Sequence, residues 1–155
     1  MTINIPTLIS SILTLMLFVV CVIIHYEGLH ALTCWDSLAV IRPRRRIMII
    51  ICAQFFLHLI EICIFAAGFF LLADVPEYGA LLSVVDSEFS SIPPGHYGDY
   101  FYFSAVVYTT LGMGEIVPVG PVRILAGMEA IGGLLLIAWS ASFTFIEMQR
   151  HWRSN

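Results

Sequence analysis

The chain has no lysine, and charged residues of every kind fill only 12% of its 155 positions. A soluble domain carries about 25% charge, so this composition falls far short of what a water-facing surface needs. The basic residues are 7 arginines against 11 acids, for a net charge of −4. That balance offers nucleic acid no basic patch to bind. Internal repeats and low-complexity segments are also absent. The 4 cysteines make no disulfide framework, since Cys21, Cys52 and Cys63 fall inside apolar stretches and Cys34 in a loop between them. No apolar stretch carries regularly spaced arginine, which excludes an arginine-repeat voltage sensor. His58-x-x-Glu61 lacks the second histidine of a zinc-protease helix, and the other polar residues are too scattered to form a catalytic set. The chain is not expected to be an enzyme.

What the sequence does have is apolar length. Hydrophobic residues make up 59% of it, and the mean hydropathy is +0.92. Ile5–Ile24, Ile47–Ala73 and Val122–Ile146 each reach the roughly 20 residues that cross a bilayer. No basic residue precedes the first and no small-residue cleavage site follows it, so it is expected to stay as a span. Arg42, Arg44, Arg45 and Arg46 separate the first two spans, and Arg150 and Arg153 follow the third. With alternating spans, both groups lie on one side. The positive-inside rule makes that side cytoplasmic and puts the N-terminus outside, with the plasma (inner) membrane as the expected location. The Arg42–Arg46 cluster is also positioned to meet anionic lipid headgroups. Between spans two and three, Asp74, Glu77, Asp86, Glu88, Asp99 and Glu115 face a single arginine, Arg123. An acidic outer vestibule of this kind gathers cations.

That outer segment is broken by Pro76, by Pro93-Pro94-Gly95 and by Gly98, which signal turns. Residues 99–110, D-Y-F-Y-F-S-A-V-V-Y-T-T, then read as a re-entrant half-helix with Asp99 at its positive end. A strand here would leave unpaired edges in lipid. The helix meets Thr110-Leu111-Gly112-Met113-Gly114-Glu115, whose glycines each cost about 1 kcal/mol in a helix relative to alanine. Alternating glycines let the backbone turn successive carbonyls the same way. A ring of such carbonyls can replace the water around a dehydrated cation. The stretch reads as a selectivity filter.

Asp99–Glu147 resembles the pore module of potassium channels, in which a pore helix, a T-x-G-x-G filter and an inner helix follow in that order. T-T-L-G-M-G-E-I-V-P over 109–118 matches the family's filter run, and R-I-L-A-G-M-E-A-I-G-G-L-L-L-I-A its inner helix. The resemblance implies an all-α membrane protein with three transmembrane helices, a re-entrant pore helix and a filter loop, forming a homotetrameric pore that passes K+ passively. Residues 1–46 would then be an added span and cytoplasmic loop, and 47–155 the pore domain. Within the latter fall an outer helix 47–73, an external segment 74–98, a pore helix 99–110, a filter 110–115 and an inner helix 121–147. Thr110, Leu111, Gly112, Met113 and Gly114 would form the ion sites, with K+ as the only bound ion and no cofactor. Thr109, Glu115 and Glu129 would support them, and Gly132 or Gly133 would be the inner-helix hinge. Met113 stands where the family has Tyr or Phe, and Glu115 where it has Asp. Methionine is flexible and cannot donate a hydrogen bond, which leaves a weakly selective cation channel as one alternative. A non-conducting accessory subunit is another.

Polar residues outside the loop carry further expectations. His58 and Glu61 share one helical stripe with Gln54 and are read as a pH sensor or a packing patch. Glu129 lies about 12 Å along a helix from Pro121, level with the filter, and is expected to brace the pore helix. Glu129, Gly133, Leu136, Ser140 and Glu147 share a face read as lining the cavity. His25, Glu27, His30 and Cys34 suit an interfacial polar cluster better than a metal site. The 29–41 stretch reads as a short interfacial helix with Trp35 at headgroup depth.

Overall fold

The structure, a computed structural model, describes residues 4–34, 42–73, 75–85, 88–92 and 97–152. It consists of α1 (Ile5–Cys34), α2 (Pro43–Ala73), a 3-10 turn at Pro76–Tyr78, β1 (Ala80–Val85), β2 (Glu88–Ser91), α3 (Tyr97–Tyr108), β3 (Ile116–Val119) and α4 (Val122–Trp152). α1, α2 and α4 are long and apolar enough to cross a membrane. The fold is helical and membrane-type, as the apolar runs predict.

Several boundaries move: α3 covers Tyr97–Tyr108 and not 99–110, and α4 runs past Ile146 and Glu147 to Trp152. α1 does not stop near Ile24 but runs on to Cys34. The reason is a continuous inward stripe of Ser10, Thr14, Cys21, His25, Leu29 and Leu32, spaced by three, four or seven residues along one helix face. Leu29–Cys34 therefore belong to α1 and not to a separate interfacial helix; Trp35 and the rest of that stretch lie outside the described residues. α2 starts earlier than expected, at Pro43. A proline suits the first helical turn, where its missing N–H has no partner to lose.

Pro76 does open a turn and Gly98 lies inside α3, while Pro93-Pro94-Gly95 fall outside the described residues; unread in the sequence was a three-stranded antiparallel sheet of order β2-β1-β3. β1 pairs with β2 through Leu82↔Ser91 to Val85↔Glu88, and with β3 through Ala80↔Val119 to Ser83↔Ile116. Pro118 is tolerated because β3 is an edge strand that need not donate on its free side. β3 begins directly after Glu115, so this sheet fastens the downstream end of the filter-like loop.

The core lies between α2, α3 and the first half of α4. Phe65, Phe69, Phe103, Tyr108, Val122 and Leu125 are buried in it. Phe69 meets Phe103 edge-on at 4.9 Å between ring centroids, a preferred aromatic geometry. α1 packs across α2 and α4 from outside, with Cys21 joining the same core.

The sheet depends on one close approach. Gly79 has φ 102, and a β-carbon there would stand 1.9 Å from the Val119 carbonyl oxygen. Gly79→Ala is therefore expected to lower stability by about 1–3 kcal/mol through strain and clash together. Thermal unfolding of the detergent-solubilised protein measures it; an unchanged midpoint would show that the β1–β3 contact is not built as described.

Candidate functional site

α3 ends at Tyr108 in a paired C-terminal cap. The Thr110 N–H donates to the Val107 carbonyl at 2.9 Å, and the Leu111 N–H to the Val106 carbonyl at 2.9 Å. This pattern requires a left-handed residue between helix and exit, normally glycine. Here it is Thr110, with φ 58. A β-branched residue in that region is an outlier, held at a cost of order 1–3 kcal/mol, and such strain gathers at functional sites. Among the described residues Thr110 is the one non-glycine with positive φ.

The positive φ recurs at every second position. After Thr110 come Gly112 at φ 59 and Gly114 at φ 81. Alternation between left- and right-handed backbone is the conformation that can present consecutive carbonyls to one side, and glycine adopts it without penalty. Leu111 and Met113 are exposed in the protomer. Tyr102, one turn and a half before the end of α3, reaches forward to the downstream part of the loop. Its hydroxyl donates to Glu115 Oε2 at 3.0 Å and lies 3.2 Å from Met113 Sδ. It thus brings a hydrogen-bond donor to the position where Met113 supplies none. An open groove of about 460 Å³ runs between α3, this loop and α4, lined by Phe103, Val106, Thr110, Gly114, Pro118 and Ala126.

Behind the loop lies a buried polar network that ties all four helices together. Glu61 of α2 and His25 of α1 are both fully buried. His25 Nδ1 is 2.8 Å from Glu61 Oε1, and His58 Nδ1 is 3.0 Å from Glu61 Oε2. The Tyr108 phenol at the end of α3 also donates to Glu61 Oε2, and lies 2.8 Å from His58 Nδ1. Ser140 Oγ of α4 stands 3.3 Å from His25 Nε2. Below it, Gln54 donates to the Ser140 carbonyl at 3.1 Å and accepts from Thr144 at 2.8 Å. The ladder ends with Glu147, which takes Arg46 at 2.8 Å and Arg150 at 2.9 Å. Higher up, the Ser104 hydroxyl of α3 sits between the Ile62 carbonyl at 2.9 Å and Glu129 Oε1 at 2.5 Å.

A family model described as "Ion channel" matches residues 57–150, which hold α3 and the loop entire, α4 but for its last two residues, and just over half of α2. The chain belongs to that ion channel family. Relatives include the inward rectifier potassium channel Kirbac3.1 of Paramagnetospirillum magnetotacticum, 30% identical over 95 residues. The voltage-gated potassium channel regulatory subunit KCNG3 is 31% identical over 88 residues in both Mus musculus and Homo sapiens. These matches cover 61% and 56% of this chain, but the chain spans only 28% of the first relative and 19% of the second. Membership of an ion channel family accords with a chain that is not an enzyme.

Within this ion channel fold, the sequence-predicted residues fall into three groups. Thr109, Thr110, Leu111, Gly112, Met113, Gly114 and Glu115 form one continuous loop between α3 and β3. His58 and Glu61 meet each other, and Glu129 meets Ser104 of α3. Gly132 and Gly133 are contact points: a β-carbon at Gly132 would stand 2.9 Å from the Phe18 ring, and one at Gly133 2.3 Å from the Tyr108 carbonyl oxygen. The cavity-lining face is a correction. Glu129, Leu136, Ser140 and Glu147 are buried inside the protomer against other helices, so they cannot line a central cavity. His25 also leaves its expected cluster, turning inward to Glu61, while His30 and Cys34 remain together on the surface at 3.4 Å. Missed in the sequence were His25, Tyr102, Tyr108 and Ser140 as partners. A signal existed for Tyr108, since a tyrosine hydroxyl buried in an apolar core needs an acceptor.

Tyr108→Phe removes one donor to Glu61 and is expected to destabilise by roughly 0.6–1.7 kcal/mol, the range for polar contacts between membrane helices. Gly133→Ala forces a helix apart and is expected to lower the unfolding midpoint more. The reverse ranking would place the weight of this junction on the hydrogen bond and not on close packing.

Proposed function

We propose that four copies of this chain assemble around Thr110–Gly114 to form a passive, potassium-selective pore. The observation that carries this reading is the left-handed backbone at Thr110, Gly112 and Gly114, set at the inner end of a half-helix. A dehydrated cation is stabilised there by carbonyl dipoles and by the negative end of the α3 helix. One loop supplies one wall of such a site. The apolar groove beside the loop, open in the protomer, suits coverage by a neighbouring copy. That relatives over this region are named potassium channels supports K+ as the permeant ion. Under this reading 47–155 form the pore domain, and 1–46 lay an extra span against the outer and inner helices. On this reading the arginines at 42–46 lie on the cytoplasmic side, and the exposure of Arg44 and Arg45 suits contact with anionic headgroups.

A second reading has a specific observation behind it, because one relative is named a regulatory subunit. The chain would then shape a pore with other subunits and conduct little alone.

The test is the reversal potential of the purified protein in a planar bilayer, with K+ on one side and Na+ on the other. A potential strongly favouring K+ is expected, each tenfold preference moving it by about 59 mV. Clear current that reverses near zero would make the pore non-selective. Silence alone, followed by altered current on mixing with a conducting relative, would favour the accessory reading. Met113→Tyr is expected to keep conduction and move the potential further toward K+.

A further inference from the structure

Glu61 is an acid buried at the junction of all four helices, and among the described residues no arginine bonds it. Its partners are two imidazoles and a phenol. A buried carboxylate without a fixed cation is costly unless something of positive charge joins it. We propose that His25, His58 and Glu61 form a binding site for a divalent transition-metal ion of the zinc type, with the Tyr108 phenol at its edge.

Three features support the assignment. First, one donor atom from each of His25, His58 and Glu61 lies within 4.8 Å of the others. Zinc bound at about 2.0–2.2 Å in a tetrahedron needs ligand atoms roughly 3.3 Å apart. Small side-chain rotations close that difference, without moving a helix. Second, two imidazoles and one carboxylate make a donor set that suits zinc and its neighbours better than calcium or magnesium. Third, a supporting shell is already built. A histidine that ligates through Nδ1 carries its proton on Nε2, and metal-bound histidines almost always donate that proton to an oxygen. His25 Nε2 has the Ser140 hydroxyl at 3.3 Å. Ligation through Nδ1 places a ring's proton on Nε2, which for His25 is the nitrogen that Ser140 faces.

The surface pair His30 and Cys34, at 3.4 Å, is a built-in comparator on the same helix. It has two donors and no carboxylate, so it should hold metal weakly. The binding claim stands on the cluster geometry alone. Its consequence rests on the channel reading: an ion here would fasten α1 and α2 to the last residue of the pore helix, and so tune the loop that follows.

The test uses the full chain in detergent, stripped with chelator and titrated with Zn2+ in a calorimeter, with Co2+ as a spectroscopic probe. One Zn2+ per chain is expected, and a Co2+ spectrum of the intense four-coordinate kind. His58→Gln removes a ligand at the rim of the site, where that side chain is 18% exposed and the fold is least at risk. It should weaken Zn2+ by more than the roughly 10–100-fold that loss of a supporting group causes. Ser140→Ala should itself fall within that 10–100-fold range. His30→Gln with Cys34→Ser should change nothing. Absence of saturable binding in the wild type would overturn the proposal, as would binding that survives His58→Gln and vanishes with the surface pair. Because calorimetry needs no current, failure here is separable from failure of the pore reading, which the bilayer measurement decides.

Discussion

The protein is organised around the need to hold a short non-helical loop inside a membrane protein without loose backbone. Lipid gives an unsatisfied N–H or C=O no alternative partner. The cap at the end of α3 meets that need directly, because the Thr110 and Leu111 amides return to Val107 and Val106. The strained threonine follows from the same constraint. A glycine there would relax the backbone but would leave the helix end free to wander; threonine has fewer conformations to choose from. Tyr108 then fixes where the cap sits, with its carbonyl against Gly133 and its phenol on Glu61.

The polar network has a second role in how the helices choose their neighbours. Between membrane helices there is no hydrophobic drive to pick one apolar face over another. Glu61, Gln54 and Arg46 recur down one side of α2, and each has a partner on α4 or one link from it. A rotation of either helix would strand several of these groups at once. Among the described residues, α1 enters this scheme through His25 and otherwise by apolar packing, as at Cys21 and Leu29.

Much of this was legible from the sequence. The spans followed from apolar length, the half-helix from its residues lying between a turn and a pair of glycines, and the loop from the T-L-G-M-G order itself. The sheet was not legible, because Ala80–Val85 and Glu88–Ser91 are short and lie among proline and glycine signals that read as turns. Its pairing partner, Ile116–Val119, is far along the chain and contains a proline. His25 was misplaced for a related reason. Local spacing groups it with Glu27 and His30, whereas its real partner is 36 residues away on another helix. Pairings between elements carry no local periodicity, and side chains alone cannot reveal which faces meet.

The loop is tethered at both ends. Upstream it starts inside the helix cap at Thr110; downstream Ile116 is already paired to Ser83. With Leu111 also held by the cap, only Gly112–Glu115 are left between two fixed posts. A segment so short can follow a displaced post only by changing its own dihedral angles. Any displacement of either post must therefore appear as a change in the loop's own shape, which makes the position of the β-sheet as much a determinant of the loop's geometry as the helix that precedes it.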